Sequence, residues 1–218
     1  ATTLRIVFDF PASPVPVRRD LADAFRRIWD RLPAPGTWWT GTQRVALATV
    51  ARAAYQGGSH GSHADLPEPA VAAAGLLSRE PASVTRDLIS RWQVEGLDPY
   101  RYVELIGVVS HITVVDTFHR AMGISQEPLP EPRLGAPSQT MPEPPATVTK
   151  AWVPMVGPPT IPTSLSAVPE EMESLEALHG LAYLTYREMS DPAIQKGLSR
   201  PQMELVASRT SFINECFY

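Results

Sequence analysis

A chain of 218 residues is long enough for one large or two small domains, and 44% hydrophobic with 19% charged residues describes a globular protein with a substantial core. A net charge of −4 gives no support to a nucleic-acid partner, and no apolar run approaches the ~20 residues that a membrane span requires. The single cysteine excludes an internal disulfide framework; with no basic-then-apolar leader in ATTLRIVFDFPASP, a cytoplasmic location is expected.

The segment 3–10, TLRIVFDF, reads as a short strand or an extended arm, and Pro11, Pro14 and Pro16 end it. Over 17–32, Leu21, Ala24, Phe25, Ile28 and Trp29 recur at helical spacing among Arg and Asp, which predicts an amphipathic helix closed by Pro33, Pro35 and Gly36. Thr40 followed three residues later by Gln43 is a capping box, so a second helix should run to Tyr55. The GGSHGSH stretch, 57–63, reads as a loop. His60-x-x-His63 lacks a third ligand at a recognisable spacing and is read as a pair of surface histidines, so no metal or cofactor is expected.

Helices are predicted over 67–77 and 83–95, the second capped by Ser83 and closed by Gly96. Asp98 as N-cap with Pro99 behind it opens the most apolar segment, 100–122, ended by Gly123; a helix apolar nearly all round belongs at the centre of the fold. Its apolar surface exceeds what one small domain can bury, so association into a homo- or hetero-oligomer is expected. Glu104 and His111, seven residues apart, share a face, either as an acid/base pair or as a buried polar pair.

Between 126 and 162 lie 11 of the 23 prolines, which precludes regular helix and predicts an extended linker anchored near its end by Trp152, Val153, Met155 and Val156. An amphipathic helix is predicted over 170–189. Ser199-Arg-Pro-Gln202 then repeats the capping box of Thr40-Gly-Thr-Gln43 and starts a last helix, with Met203, Val206, Ala207, Phe212 and Ile213 on an inward face. An offset of 159 lays Thr40 on Ser199, Gln43 on Gln202 and Ala48 on Ala207, with Val45 against Glu204 and Gly57 against Cys216. The expected organisation is therefore tandem: a first copy with its arm at 1–125, a linker at 126–164, and the start of a second copy at 165–218.

Leu198, Ser199, Glu204, Asn214 and Cys216 together resemble the signature of the alkyl hydroperoxidase D and carboxymuconolactone decarboxylase family. That signature is a capped helix with a Glu, eleven intervening residues, and then Cys-x-x-Cys-x-x-x-His. The Val103-Glu104 start of the central helix is similar to the family's closing helix. The resemblance implies an all-α fold and a thiol peroxidase-like activity on alkyl hydroperoxides, with Glu204 as relay acid and Cys216 as resolving thiol. A peroxide and a thiol reductant would be its partners. The family's second Cys and its His would fall at positions 219 and 223. A continuing polypeptide or a second chain is expected to supply them, and to cover Phe212, Ile213 and Phe217.

From the residues, Glu204 and Cys216 are expected to face one pocket across about 18 Å of helix, with Glu204 partly desolvated and its pKa raised. The alternative places Glu204 in solvent beside an Arg, with an ordinary or lowered pKa. Two other readings stay open: a non-catalytic interaction or scaffold subunit, and an acid/base decarboxylase-like enzyme. The last would need convergent cationic groups, whereas Arg52, Arg101 and Arg120 are scattered along the sequence.

Overall fold

The computed structural model describes residues 8–58 and 63–216. It is all-α: among these residues run α1 (Arg19–Arg31), α2 (Gly41–Tyr55), α3 (Glu68–Arg79), α4 (Arg86–Val94), α5 (Pro99–Ala121), α6 (Pro169–Ala182) and α7 (Arg200–Ile213). The β features among them are a short hairpin pairing Gln195 with Ser199 and Lys196 with Leu198 and an isolated antiparallel bridge between Thr147 and Met155. Most of the segment 3–10 lies outside the described residues; Phe8 at its end is buried against Phe25 and Trp29.

Local chemistry explains the helix starts. At Thr40 the hydroxyl accepts from Gln43 N while the Gln43 amide oxygen accepts from Thr40 N, and Ser199 with Gln202 repeats this arrangement. Asp98 accepts from Tyr100 N and Arg101 N, so α5 opens with its orphan donors satisfied and Pro99 where no N–H is needed. The fourth helix starts later than its sequence suggests: Pro81–Ser83 form a 3₁₀ turn, and Thr85 rather than Ser83 caps α4 by accepting from Leu88 N.

Small side chains set the central packing. The α2 and α3 helices pack on each other and bury small residues, Ala48, Ala51 and Ala54 on one and Ala70, Ala73 and Ala74 on the other, and Ser78 Oγ donates to Ala51 O at 2.7 Å. The α2 and α3 helices pack on α5, and α6 lies on α1 and α5. Together they bury twelve residues of α5. The apolar surplus expected on this helix is thus covered within the chain and carries no argument for association. Arg31 bonded to Glu171 and Arg18 bonded to Leu181 O make α1 and α6 antiparallel neighbours.

The proline-rich segment is extended and strapped along the bundle. Arg133 N, Ser138 N and Gln139 N donate to Pro33 O, Gly36 O and Thr37 O, and Trp29 Nε1 donates to Pro128 O. Met155 is buried and Val153 packs on the core, whereas Trp152 is exposed and does not anchor the segment. The helix expected over 170–189 stops at Ala182, where the chain turns to bury Leu184, and Thr185 N donates to Glu188 Oε2.

The last helix departs furthest from expectation. Of its supposed inward face only Met203 is buried; Val206, Phe212 and Ile213 are 57%, 73% and 65% exposed. The helices that bury α2, namely α3 and α5, turn toward α2 and leave α7 against little beyond the hairpin strand before it. Phe217 lies outside the described residues. Leu47→Ala in α2 is expected to cost about 2–5 kcal/mol, whereas Val206→Ala, its counterpart by position from the cap, should stay within about 0.5 kcal/mol. Urea unfolding midpoints of the two variants check this contrast.

Candidate functional site

Two sites emerge, one expected and one not. The expected one is α7. Glu204 stands in its first turns at the surface, where its Oε1 accepts from Tyr183 Oη at 2.6 Å and from Arg200 Nε at 2.5 Å. The Tyr183 hydroxyl first, and Arg200 second, hold the carboxyl below its usual range. The desolvated acid with a raised pKa is therefore corrected: Glu204 is a solvated carboxylate beside an Arg, because no element among the described residues covers that face of α7.

Cys216 is exposed two residues past the C-cap Asn214. Its N–H donates to Ser211 O at 2.9 Å, and Glu215 before it takes φ 53°, so the helix ends in a Schellman turn with Cys216 as its final residue. The α2 helix ends in the same turn, with Gly57 at φ 74° and Gly58 N bonded to Ala53 O. Because α7 is one residue shorter than α2, Cys216 occupies the place of Gly58, not of Gly57. Val45 is half-buried and Gly57 exposed.

The unexpected site is buried. Arg44 of α2 donates through Nη1 to Glu104 Oε1 of α5 and, at 2.8 Å, to Glu171 Oε1 of α6. Arg31 of α1 donates to the same Glu171 oxygen at 2.7 Å. The backbone N–H of Trp38 donates to Glu104 Oε2 at 2.5 Å. His111 completes the group, one α5 turn pair beyond Glu104: its Nδ1 lies 2.6 Å from Gly107 O and 3.5 Å from Glu171 Oε2. A carbonyl only accepts, so Nδ1 carries the proton and Nε2, which has no hydrogen-bond partner among the described residues, is the bare acceptor. Four elements thus meet at one carboxylate.

Two glycines make room. A Cβ at Gly107 would stand 2.6 Å from Glu171 Oε2, and one at Gly36 would collide with Glu104 and Arg44. Burial alone would raise the Glu171 carboxyl, but Arg44 and then Arg31 outweigh it and bring it to about 2. Burial raises Glu104, with repulsion from Glu171 adding and Arg44 opposing. Burial lowers His111, which is therefore neutral, partly offset by Glu171. Two guanidiniums face two carboxylates, and the ionised set is balanced in charge. With Glu104 and Glu171 fully buried, the arrangement fastens helices together.

Glu104 and His111, read from sequence as sharing a face, are both buried here and join through Glu171 without touching each other. Arg31, Arg44 and Glu171 were not singled out. The signal available was Arg44, a charge in the apolar stripe of Leu47, Ala48 and Ala51. Glu171 and Arg31 pass as ordinary end-of-helix charges that complement the helix dipole. The scattered arginines have separate partners: Arg52 pairs with Asp116, while Arg101 and Arg120 lie over Trp39 and Tyr55. His60 lies outside the described residues, among which no three His, Cys, Asp or Glu side chains are placed to hold a metal. No helix among them is long and apolar enough to cross a membrane. The chain matches no protein-family model, no curated protein and no solved structure.

Removing the shared cation leaves buried Glu104 without a cation and Glu171 with Arg31 alone, so Arg44→Met is expected to cost about 3–5 kcal/mol in chemical denaturation. Acid should act through two depressed groups. The contribution of Glu171 is complete above its ordinary value of 4.5 and lost as pH falls toward about 2. That of neutral His111 begins to be lost below 6.5. Glu104, being raised, acts in the opposite sense and loses its contribution as pH rises above 4.5. Stability measured against pH should therefore decline on acidification below about 4.5, where Glu171 acts and Glu104 no longer opposes it. Between 4.5 and 6.5 His111 and Glu104 act against each other, so His111→Gln should tilt that interval toward greater stability at lower pH.

Proposed function

We propose that the chain is a thiol peroxidase-like protein of the alkyl hydroperoxidase D and carboxymuconolactone decarboxylase kind, a tandem of helical copies in which only α7 carries reactive groups. The observation behind this reading is that α7 presents both Glu204 and Cys216 to solvent while its apolar side chains lie uncovered. Supporting the tandem are the paired capping boxes and the paired Schellman turns of α2 and α7. In the first copy Val45 and Gly57 supply neither acid nor thiol. A cover for Val206, Phe212 and Ile213, from a further segment or a second chain, would desolvate Glu204 and move its pKa toward the range useful in proton transfer.

In this reading a peroxidatic thiolate from outside the described residues attacks the peroxide, and the O–O bond breaks to give a sulfenic acid and, after protonation, an alcohol. The Cys216 thiol then attacks that sulfenic sulfur, forming a disulfide and releasing water, and a thiol reductant returns both sulfurs to thiols. Glu204 relays the protons. A reducing, cytoplasmic compartment suits a lone exposed thiol. Thiol-dependent consumption of an alkyl hydroperoxide by the full-length protein tests this: Cys216→Ser should abolish turnover, and Glu204→Gln should slow it about 10²-fold or more.

A second reading, a non-catalytic subunit of a larger assembly, draws on Glu204 being already neutralised by Arg200 and Tyr183. Wild type that consumes no peroxide, yet forms a defined complex by light scattering, would favour it. The acid/base decarboxylase-like reading has less behind it, since Arg52, Arg101 and Arg120 do not converge on one another.

A further inference from the structure

The position of Glu171 among its cations has the form of a ligand in a binding site. Its carboxylate arrives from α6, beyond the proline-rich strap, and enters a pocket made by the earlier bundle. There two guanidiniums converge on Oε1, the His111 ring lies beside Oε2, and the bare backbone of Gly107 admits the side chain. Arg44 is nine-tenths or more buried, and so is His111. A small cavity is lined by Arg31, Arg44, Val108, His111 and Ser174. Glu171 Oε2 accepts no hydrogen bond from any described residue, so Oε1 carries the recognition. Planar guanidiniums held at 2.7 and 2.8 Å from a carboxylate oxygen are the means by which proteins select carboxylates.

We propose that Arg31, Arg44 and His111 form a carboxylate-binding site on the α1/α2/α5 bundle, which the chain fills with its own Glu171 and which a free small monocarboxylate can occupy in its place. The site is independent of the α7 chemistry. The ligand class follows from the charges. Glu104 already offsets part of Arg44, and the exposed Glu170, 3.5 Å from Arg31, offsets part of the second cation, so the remaining charge suits no more than one monoanion. The atoms that separate Glu from Ala amount to an acetate ion.

The test is rescue of Glu171→Ala by acetate or formate, with chloride at equal ionic strength as the control. The expected result is a variant that unfolds at lower temperature than wild type and recovers saturably with acetate. The recovery should be about 3–6 °C at tenfold the half-saturating concentration, and Arg44→Met in the same background should remove it. Wild type should gain nothing beyond the chloride effect. If the variant does not fold in buffer, it should refold to soluble, helical protein in acetate and not in chloride. Equal recovery in chloride, recovery that survives loss of Arg44, or failure to recover in either salt overturns the proposal.

Discussion

The fold depends on one carboxylate shared between two guanidiniums. Glu171 draws Arg31 at the end of α1 and Arg44 near the start of α2 to a single oxygen, and through Arg44 it is tied to Glu104 on α5. Each charge in that set is costly to bury alone, and the set is tolerable only when all are present. Apolar packing brings α2, α3 and α5 together, but the hydrophobic attraction itself is non-directional. Hydrogen-bonded charges are directional. The cluster therefore fixes where α6 sits, and with it the antiparallel pairing of α1 and α6.

That division of labour contrasts the two ends of the chain. Around α5 most directions are occupied, by Tyr102 and Leu105 in the core and by Val103 against Leu165, Ala167 and Val168, with Val114 and Thr117 on its open side. Around α7 the side chains are those of a packing helix, Leu205, Val206, Phe212 and Ile213, set in water. This uncovered apolar face lies between Glu204 and Cys216, the two residues of the proposed peroxidase-like chemistry.

Much of the architecture was legible in the sequence because it is written in local chemistry. Capping boxes at Thr40 and Ser199, Asp98-Pro99, and Gly96 and Gly123 at helix ends depend on neighbours within a few residues, and each stands where its pattern places it. The proline count likewise forces the extended strap. What escaped was non-local. Glu171 looks like any acid in a first turn, and its partners lie 127 and 140 residues away, a pairing that no spacing encodes. Exposure of α7 escaped for the same reason: periodicity shows which face is apolar, not what comes to cover it. Glu204 and Cys216 were placed correctly on the helix and at its end, but a pocket between them requires a wall that their own segment does not provide.

The same sequence separations bear on how the chain folds. Contacts that close loops of 127 and 140 residues carry the entropic cost of bringing distant segments together before any reward is felt. The Arg44 to Glu104 link, 60 residues apart, can form within the earlier bundle, whereas the links to Glu171 wait for the strap to be laid down. Docking of α6 thus belongs to the slow, high-contact-order part of the reaction, and until it occurs Arg31 and Arg44 lack the carboxylate that the native state gives them. Ribosomal synthesis imposes that same order, because the cationic pocket leaves the ribosome well before the residue that fills it.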